Sequence, residues 1–321
     1  MKLTGRMPEL YVEAPEGEIT ASTGRDNSGE RLDKSALARL VKEMEFINKG
    51  QKKMDVRIVS DCERVREAVP LFLIKERRPS EILFHSHASV LSCSFNNSKL
   101  TLGGRPTSLM SSLPRGVRPF RTVNGKPLVE IDVKASHANI AFAMLGIEAP
   151  TADLYRLPMF SDEENKALRP LIKSYVNVSL NLKPSDKRWW KEAVANGLIE
   201  QQLKAQKAAL ILGDAPPPVW KHSEAMELLP AIREAVASAY PELVKFFATD
   251  FGVRAMWVEG DILRRVLTVA AEEDFVLIPL HDAVFCHKEN VPYVCELLRW
   301  SFETTTGIGL PEFCLKVEAP Q

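Results

Sequence analysis

The sequence predicts an α+β fold in which a small antiparallel sheet, shared between residues 120–150 and 246–321, carries a long helical insertion. Three observations predict it. PLVEIDV (127–133) is an apolar run that follows a Gly-Lys turn, as a buried strand would, and a helix-like stretch comes directly after it. Residues 161–248 read as mainly helical, with one break at Asp214-Ala215-Pro216-Pro217-Pro218. FVLIPL and AVF (275–285) flank a His-Asp pair, the pattern of a hairpin with a tight turn.

The other elements follow in order. Residues 1–32 are rich in Gly, Glu, Ser, Thr and Asn without periodicity, and read as a loosely ordered arm. Leu37, Leu40, Val41, Met44 and Ile47 fall at helical spacing over 34–48, with Asp33 or Ser35 to cap the start and Gly50 to end it. MDVRIVS (54–60) alternates like a strand, and a second helix is expected over 61–75. His85 and His87 alternate on a strand-like stretch, without carboxylate or cysteine neighbours to complete a metal site. The stretch 86–126 is turn-rich, with Gly103-Gly104 and a spread of arginines at 105, 115, 118 and 121. Glycine removes side-chain bulk and lets arginines approach phosphates, although the same residues also make an ordinary solvated loop. SHANIAFAMLG (136–146) reads as a helix ended by Gly146, a further helix covers about 291–305, and FCLKVEA (313–319) is a last strand.

Composition narrows the class of protein. Of 321 residues, 45% are hydrophobic and 26% charged, the mix of a globular chain with a sizeable core. Lys plus Arg equals Asp plus Glu at 42 each, which argues against a nucleic-acid-coating protein but not against an enzyme with one basic cleft. Five cysteines without a CxxC pair read as reduced thiols, and Cys286-His287 has no second ligand pair for zinc. No stretch approaches the ~18 apolar residues of a membrane span, and the N-terminus lacks a signal-peptide core, so a cytoplasmic protein with no membrane partner is expected.

Chemistry is concentrated in a few places. Asp132 ends an apolar strand and Asp282 sits at a hairpin tip behind His281. Taken alone, each has an ordinary role, as helix cap and turn residue. Taken together on neighbouring strand ends, they could hold a pair of Mg²⁺ ions. Between them, Arg169 and Lys173 share one helix face, and Asn177 and Asn181 continue it. Two cations on one face repel unless an anion lies between them, and a triphosphate would serve. Pro170 either starts that helix or kinks it. KPSDKRWWKE (183–192) interleaves basic residues with Trp189 and Trp190, a pattern that stacks on bases when exposed and simply packs when buried.

The order of these motifs resembles the polymerase core of family A DNA polymerases and phage-type single-subunit RNA polymerases, over roughly residues 100–290. VEIDVKASHANIAFAMLG is similar to their first palm motif, RPLIKSYVNVSLN to the fingers-helix motif, LIPLHDAVF to the last palm motif, and LGGRPTSL to the Gly-Arg segment upstream. The resemblance implies a small, phage- or mobile-element-like polymerase that joins a nucleoside triphosphate to a 3′-hydroxyl. The fold would be a palm in two parts (120–150 and 246–321), helical fingers (151–245) and a helical thumb-like or accessory region (33–119) behind the flexible arm. By the same likeness Asp132, Asp282 and the carbonyl of Val133 hold two Mg²⁺ ions, for which Mn²⁺ could substitute. Arg169 and Lys173 grip the triphosphate, with Asn177 and Asn181 along the same face. Arg105 and His281 touch template or primer, DNA being favoured over RNA. His137 stands where relatives sense the sugar 2′ group; DNA polymerases usually carry Glu there and RNA polymerases Gly. Lys134 replaces a small polar residue, and the two asparagines replace aromatics that pack on the new base pair, so base-pair checking is more affected than phosphoryl transfer. This length leaves no room for the exonuclease or promoter-binding domains of larger relatives. A polymerase-like binding protein without synthesis, and a phosphodiesterase using Asp132, His281 and Asp282, remain open on the same residues.

Overall fold

The computed structural model describes residues 9–13 (backbone only), 34–96, 100–150 and 153–318. Twelve strands and nine α-helices alternate irregularly among these residues. The first part runs β1 (Glu9–Glu13), α1 (Lys34–Gln51), β2 (Val56–Val59), α2 (Glu63–Glu67), β3 (Ile74–Arg77), β4 (Glu81–Phe84), β5 (Ser92–Asn96), β6 (Gly103–Thr107), β7 (Arg121–Val123) and β8 (Lys126–Pro127). Then come β9 (Val129–Val133), α3 (Ser136–Met144) and the helices α4 (Asp162–Asn181), α5 (Trp190–Leu212), α6 (His222–Ala239) and α7 (Pro241–Val244). The last part is α8 (Phe251–Glu272), β10 (Leu277–Leu280), β11 (Ala283–Cys286), α9 (Val291–Thr306) and β12 (Leu315–Glu318).

The sheet that matters for the site is antiparallel, in the order β10-β11-β9-β12. Its strands come from 129–133 and 277–318, as the sequence predicts. Along β9 the pleat turns Val129, Ile131 and Val133 into the protein and Glu130 and Asp132 to the other face. Ile131 joins Leu277 and Val284 in a core shared with α1, α8 and α9. Pro279 lies in β10, an edge strand, where a missing N–H removes no central ladder bond. The helices α3, α4, α6 and α8 enclose a second core, which includes Leu171, Ile172, Leu229 and Ile262.

The N-terminal part differs from the expected helical region. It holds a five-stranded sheet, β3-β4-β2-β7-β8, and a three-stranded sheet, β1-β5-β6. The helix expected over 61–75 shrinks to α2, because Pro70 stops it and Ile74–Arg77 pairs with β4. His85 follows a strand, but residues 86–89 form a 3-10 turn in which the His85 and His87 rings stack 5.0 Å apart. Gly50 lies within α1 rather than beyond it. Of the expected arm, Glu9–Glu13 forms an edge strand on β5, and the rest lies outside the described residues. Within residues 249–274, which the sequence reading leaves unassigned, lies the whole of α8. No helix among the described residues is long and apolar enough to cross a membrane, and all five cysteines are free thiols.

Candidate active-site cleft

A cleft of ≈ 970 Å³ opens on the outward face of the β9 sheet. Its floor follows from the strand register. Asp132 pairs with Ala283 on one side and Lys316 on the other, while Glu130 pairs with Phe285 and Glu318. Asp282 immediately precedes Ala283 in the two-residue turn between β10 and β11, and its carbonyl accepts from the Val133 N–H at 3.3 Å. His281 takes φ = 57°, the left-handed backbone that tight hairpin turns require at their first central residue. The two aspartates are thus placed side by side by a hairpin and its neighbouring strand. Both line the cleft, and neither carboxylate has a hydrogen bond or ion pair among the described residues. His281 is exposed at the hairpin tip and is not part of the cleft lining.

Burial is the main cause that pushes the Asp132 carboxyl up to about 6, and the negative charges of Asp282 and Glu130 add to it against Lys173 and Lys316. Glu130 is also raised, by burial and by Glu318, against Arg118 and Arg115. Burial first, and the closeness of other carboxylates second, thus disfavour charge on the floor.

The turn after β9 is pinned from several sides. The Lys134 N–H donates to the Cys314 carbonyl at 2.8 Å and its ammonium to the Phe313 carbonyl at 2.8 Å, while Asn139 Nδ2 donates to the Lys134 carbonyl at 2.7 Å. Ala135 takes φ = 49° to enter α3, a conformation that costs an alanine about 1 kcal/mol and that these bonds hold. Lys134 thus ties the Asp132 turn to the chain before β12.

α4 forms one wall. Ser161 and Glu164 make a reciprocal capping box at its start, and it runs through Pro170 without ending. Arg169, Lys173, Asn177 and Asn181 all face the cleft, the single stripe the sequence predicts. The anion beside Arg169 here is Asp153, at 2.9 Å. Lys173 makes no ion pair among the described residues and lies 5.9 Å from the centre of the Tyr155 ring. Tyr155 donates to Asn177 Oδ1 at 3.2 Å, and Asn181 Nδ2 donates to the Asn177 carbonyl at 2.7 Å. α5 makes the next wall, with Gln201, Ala208 and Leu212 in the lining. A side chain at Gly116 would come within 2.7 Å of the Ala208 carbonyl, so the Arg115–Arg118 loop reaches α5 only because residue 116 is glycine.

Sequence reasoning missed Glu259, on α8. It is buried, lines the cleft, ion-pairs with Arg105 and lies 3.3 Å from His137 Nε2. The expected backbone-contacting Arg105 is therefore held inside the wall by a carboxylate. Arg105 also approaches His137 Nε2 at 3.3 Å, so that one nitrogen faces both a donor and an acceptor and serves one at a time. The close fit comes from two glycines. A Cβ on Gly260 would lie 2.5 Å from the Gly104 carbonyl oxygen, and Gly104, at φ = 80°, lies against the Phe95 ring. Arg264 donates to the same carbonyl at 3.0 Å. A glutamate beside a glycine in an apolar three-and-four pattern (Trp257-Val258-Glu259-Gly260) was the available signal.

Among the described residues no group of three or more His, Cys, Asp or Glu side chains is arranged to hold a metal. What the floor offers is a pair of unpartnered carboxylates, a donor set that suits Mg²⁺, which takes one or two carboxylates and completes its shell with water and substrate phosphates.

No protein-family model matches the chain, and no curated protein matches it. Among solved structures it is similar to the polymerase domain of Pol1 from M. smegmatis, whose complex holds DNA primer-template and dNTP, at 12% identity and a TM-score of 0.32. That match covers 92% of this chain and 56% of the other, so the chain spans little more than half the length of the structure it matches. A likeness this slight carries no functional weight.

Proposed function

We propose that the chain is a metal-dependent nucleotidyltransferase that extends a 3′-hydroxyl with nucleoside triphosphates on a nucleic-acid template. In this reading the β9 sheet with α3, α8 and α9 is a polymerase palm, and α4–α7 are its fingers. One observation carries it: Asp132 on β9 and Asp282 in the adjoining β10–β11 turn, both unpartnered among the described residues, floor a cleft whose wall presents Lys173 and Arg169.

Asp132 and Asp282, with the Val133 carbonyl, would hold the divalent ions. When bound, Mg²⁺ or Mn²⁺ supplies positive charge that activates the attacking hydroxyl and neutralises the leaving pyrophosphate. The chain's own residues do the rest by position. Lys173 meets the triphosphate as a point charge. Arg169 joins it by exchanging Asp153 for phosphate oxygens; exposed ion pairs of this kind contribute only ~0–1 kcal/mol, so the exchange is cheap. Asn177 and Asn181 offer polar edges where a base or sugar would lie. His137, kept neutral by burial and by Arg105, which bring it down to about 4, borders the floor beside Glu259. Arg105 acts from within the wall, orienting Glu259 and His137.

The test is primer extension. Purified protein, Mg²⁺ and a labelled primer on a longer template are incubated with dNTPs or with NTPs, beside lanes lacking primer or template. Template-dependent extension is expected, and the preferred series reads out what His137 and Glu259 admit. Binding without extension in either series would instead mark a polymerase-like binding protein, and degradation without triphosphates a phosphodiesterase.

A further inference from the structure

The segment between α4 and α5 has a surface that the cleft does not account for. Residues 184–189 form a 3-10 helix and α5 begins at Trp190. Lys183, Lys187 and Arg188 are exposed, with Lys191 partly so, and none makes an ion pair among the described residues. Elsewhere exposed cations commonly find a carboxylate one turn away, as Lys204 does with Glu200 and Lys221 with Glu224. Of the two acids nearby, Asp186 accepts from the Ser185 hydroxyl, and Glu192 pairs with His222 at 3.0 Å. The four cations outnumber these two acids, so the segment is a small field of net positive charge.

Aromatic surface sits inside that field. Trp189 is 57% exposed, with the Arg188 guanidinium 5.3 Å from its ring centre. Trp190 turns inward and meets Tyr175 edge-on, while Lys191 and Arg233 lie 5.8 Å and 5.5 Å from its ring centre. Trp190 thus anchors the segment to the helical core, and Trp189 is left presenting its ring to solvent. An exposed indole among unpaired cations matches unstacked bases on a phosphate backbone. A duplex would offer the phosphates but no free base face.

The location fits. Asn181, the last residue of α4, lines the cleft, and Lys183 follows two residues on, within about 7–8 Å along the chain.

We propose that residues 183–191 bind single-stranded nucleic acid entering or leaving the cleft, with Trp189 stacked on a base and Lys187, Arg188 and Lys191 on phosphates. This rests on the cleft taking nucleic acid, but binding here needs neither metal nor triphosphate. The test uses the full chain without Mg²⁺ or nucleotides. Oligo-dT, oligo-U and a blunt duplex are titrated at several salt concentrations, with tryptophan fluorescence and anisotropy as readouts. The proposal expects both single strands to quench tryptophan and to bind more tightly than the duplex. Trp189→Ala should weaken single-strand binding about tenfold and leave the salt slope unchanged, and Trp189→Phe should restore most of it. Lys187→Ala should lower the salt slope by roughly 0.7. Trp300→Ala, at a half-exposed tryptophan on α9, is the control and should change nothing. Single-strand binding that is indifferent to Trp189→Ala would overturn the proposal, as would equal affinity for the blunt duplex or no binding at all. Primer extension by the Trp189→Ala protein separates this outcome from the fate of the cleft. Extension that persists on a primed duplex alongside lost single-strand binding assigns the effect to the patch alone.

Discussion

Asp132 is held in a setting that disfavours its charge, and replacing it with asparagine should show by how much. Burial and the neighbouring Asp282 and Glu130 bring its carboxyl from 3.8 to about 6. At about 1.4 kcal/mol per pH unit, the ionised form costs on the order of 3 kcal/mol in the metal-free protein. The sign follows from proton counting. Between roughly pH 4 and 6 the folded chain holds this proton more tightly than the unfolded chain, so stability falls as pH rises through that window and the full penalty is present above about pH 7. Asp132→Asn keeps the shape and removes the charge. In EDTA at about pH 8 it should be more stable than the unmodified protein by about 2 kcal/mol, with a flatter pH dependence between about 4 and 7. Excess Mg²⁺ should stabilise the unmodified protein and narrow the gap. Urea unfolding followed by tryptophan fluorescence measures all three. An Asp132→Asn protein equal to or less stable than the unmodified one in EDTA at that pH would refute the reasoning, because it would make Asp132 a structural cap.

Further outcomes are expected elsewhere. Gly50→Ala and Gly260→Ala both place alanine in a helix, but the first meets its neighbours at ordinary contact distance and only the second collides with backbone, so chemical denaturation should show the first stabilising by about 0.5–1 kcal/mol and the second destabilising by about 1–2 kcal/mol. Glu259→Ala strands the largely buried Arg105 and should cost about 3 kcal/mol, much of it recovered in the Arg105→Met/Glu259→Met double variant by the same measurement. Arg121 is 1% exposed, with none of its three guanidinium nitrogens hydrogen-bonded among the described residues and its charge 4.0 Å from the centre of the Phe285 ring. Arg121→Met should therefore raise the unfolding free energy by about 1 kcal/mol, the relief of desolvation exceeding the lost ring contact.

How legible this architecture was in the sequence depended on the length of each signal. The β9–α3 unit and the β10–β11 hairpin were readable because an apolar run met a turn residue at a defined place. The α4 stripe was readable because four polar side chains at four-residue steps stand out among Leu, Ile and Val. Of the N-terminal strands only Val56–Val59 was readable, from the alternation of MDVRIVS; segments such as Ile74–Arg77 and Arg121–Val123 are too short to establish a period. Nor was the partner of Arg105 readable. Glu259 lies 154 residues away in sequence, and only the approach of Gly260 to Gly104 brings the two together. The registers that align Asp132 with Ala283 and Lys316 are likewise properties of the folded sheet, and they turn two commonplace aspartates into one candidate site.

The central claim is that Asp132 and Asp282 act together on phosphoryl transfer. The most direct measurement compares nucleotide incorporation by the unmodified protein, Asp132→Ala and Asp282→Ala under one Mg²⁺ titration, with circular dichroism on each sample. The account predicts Mg²⁺-dependent incorporation by the unmodified protein and none by either folded variant. Full incorporation by either variant would contradict it.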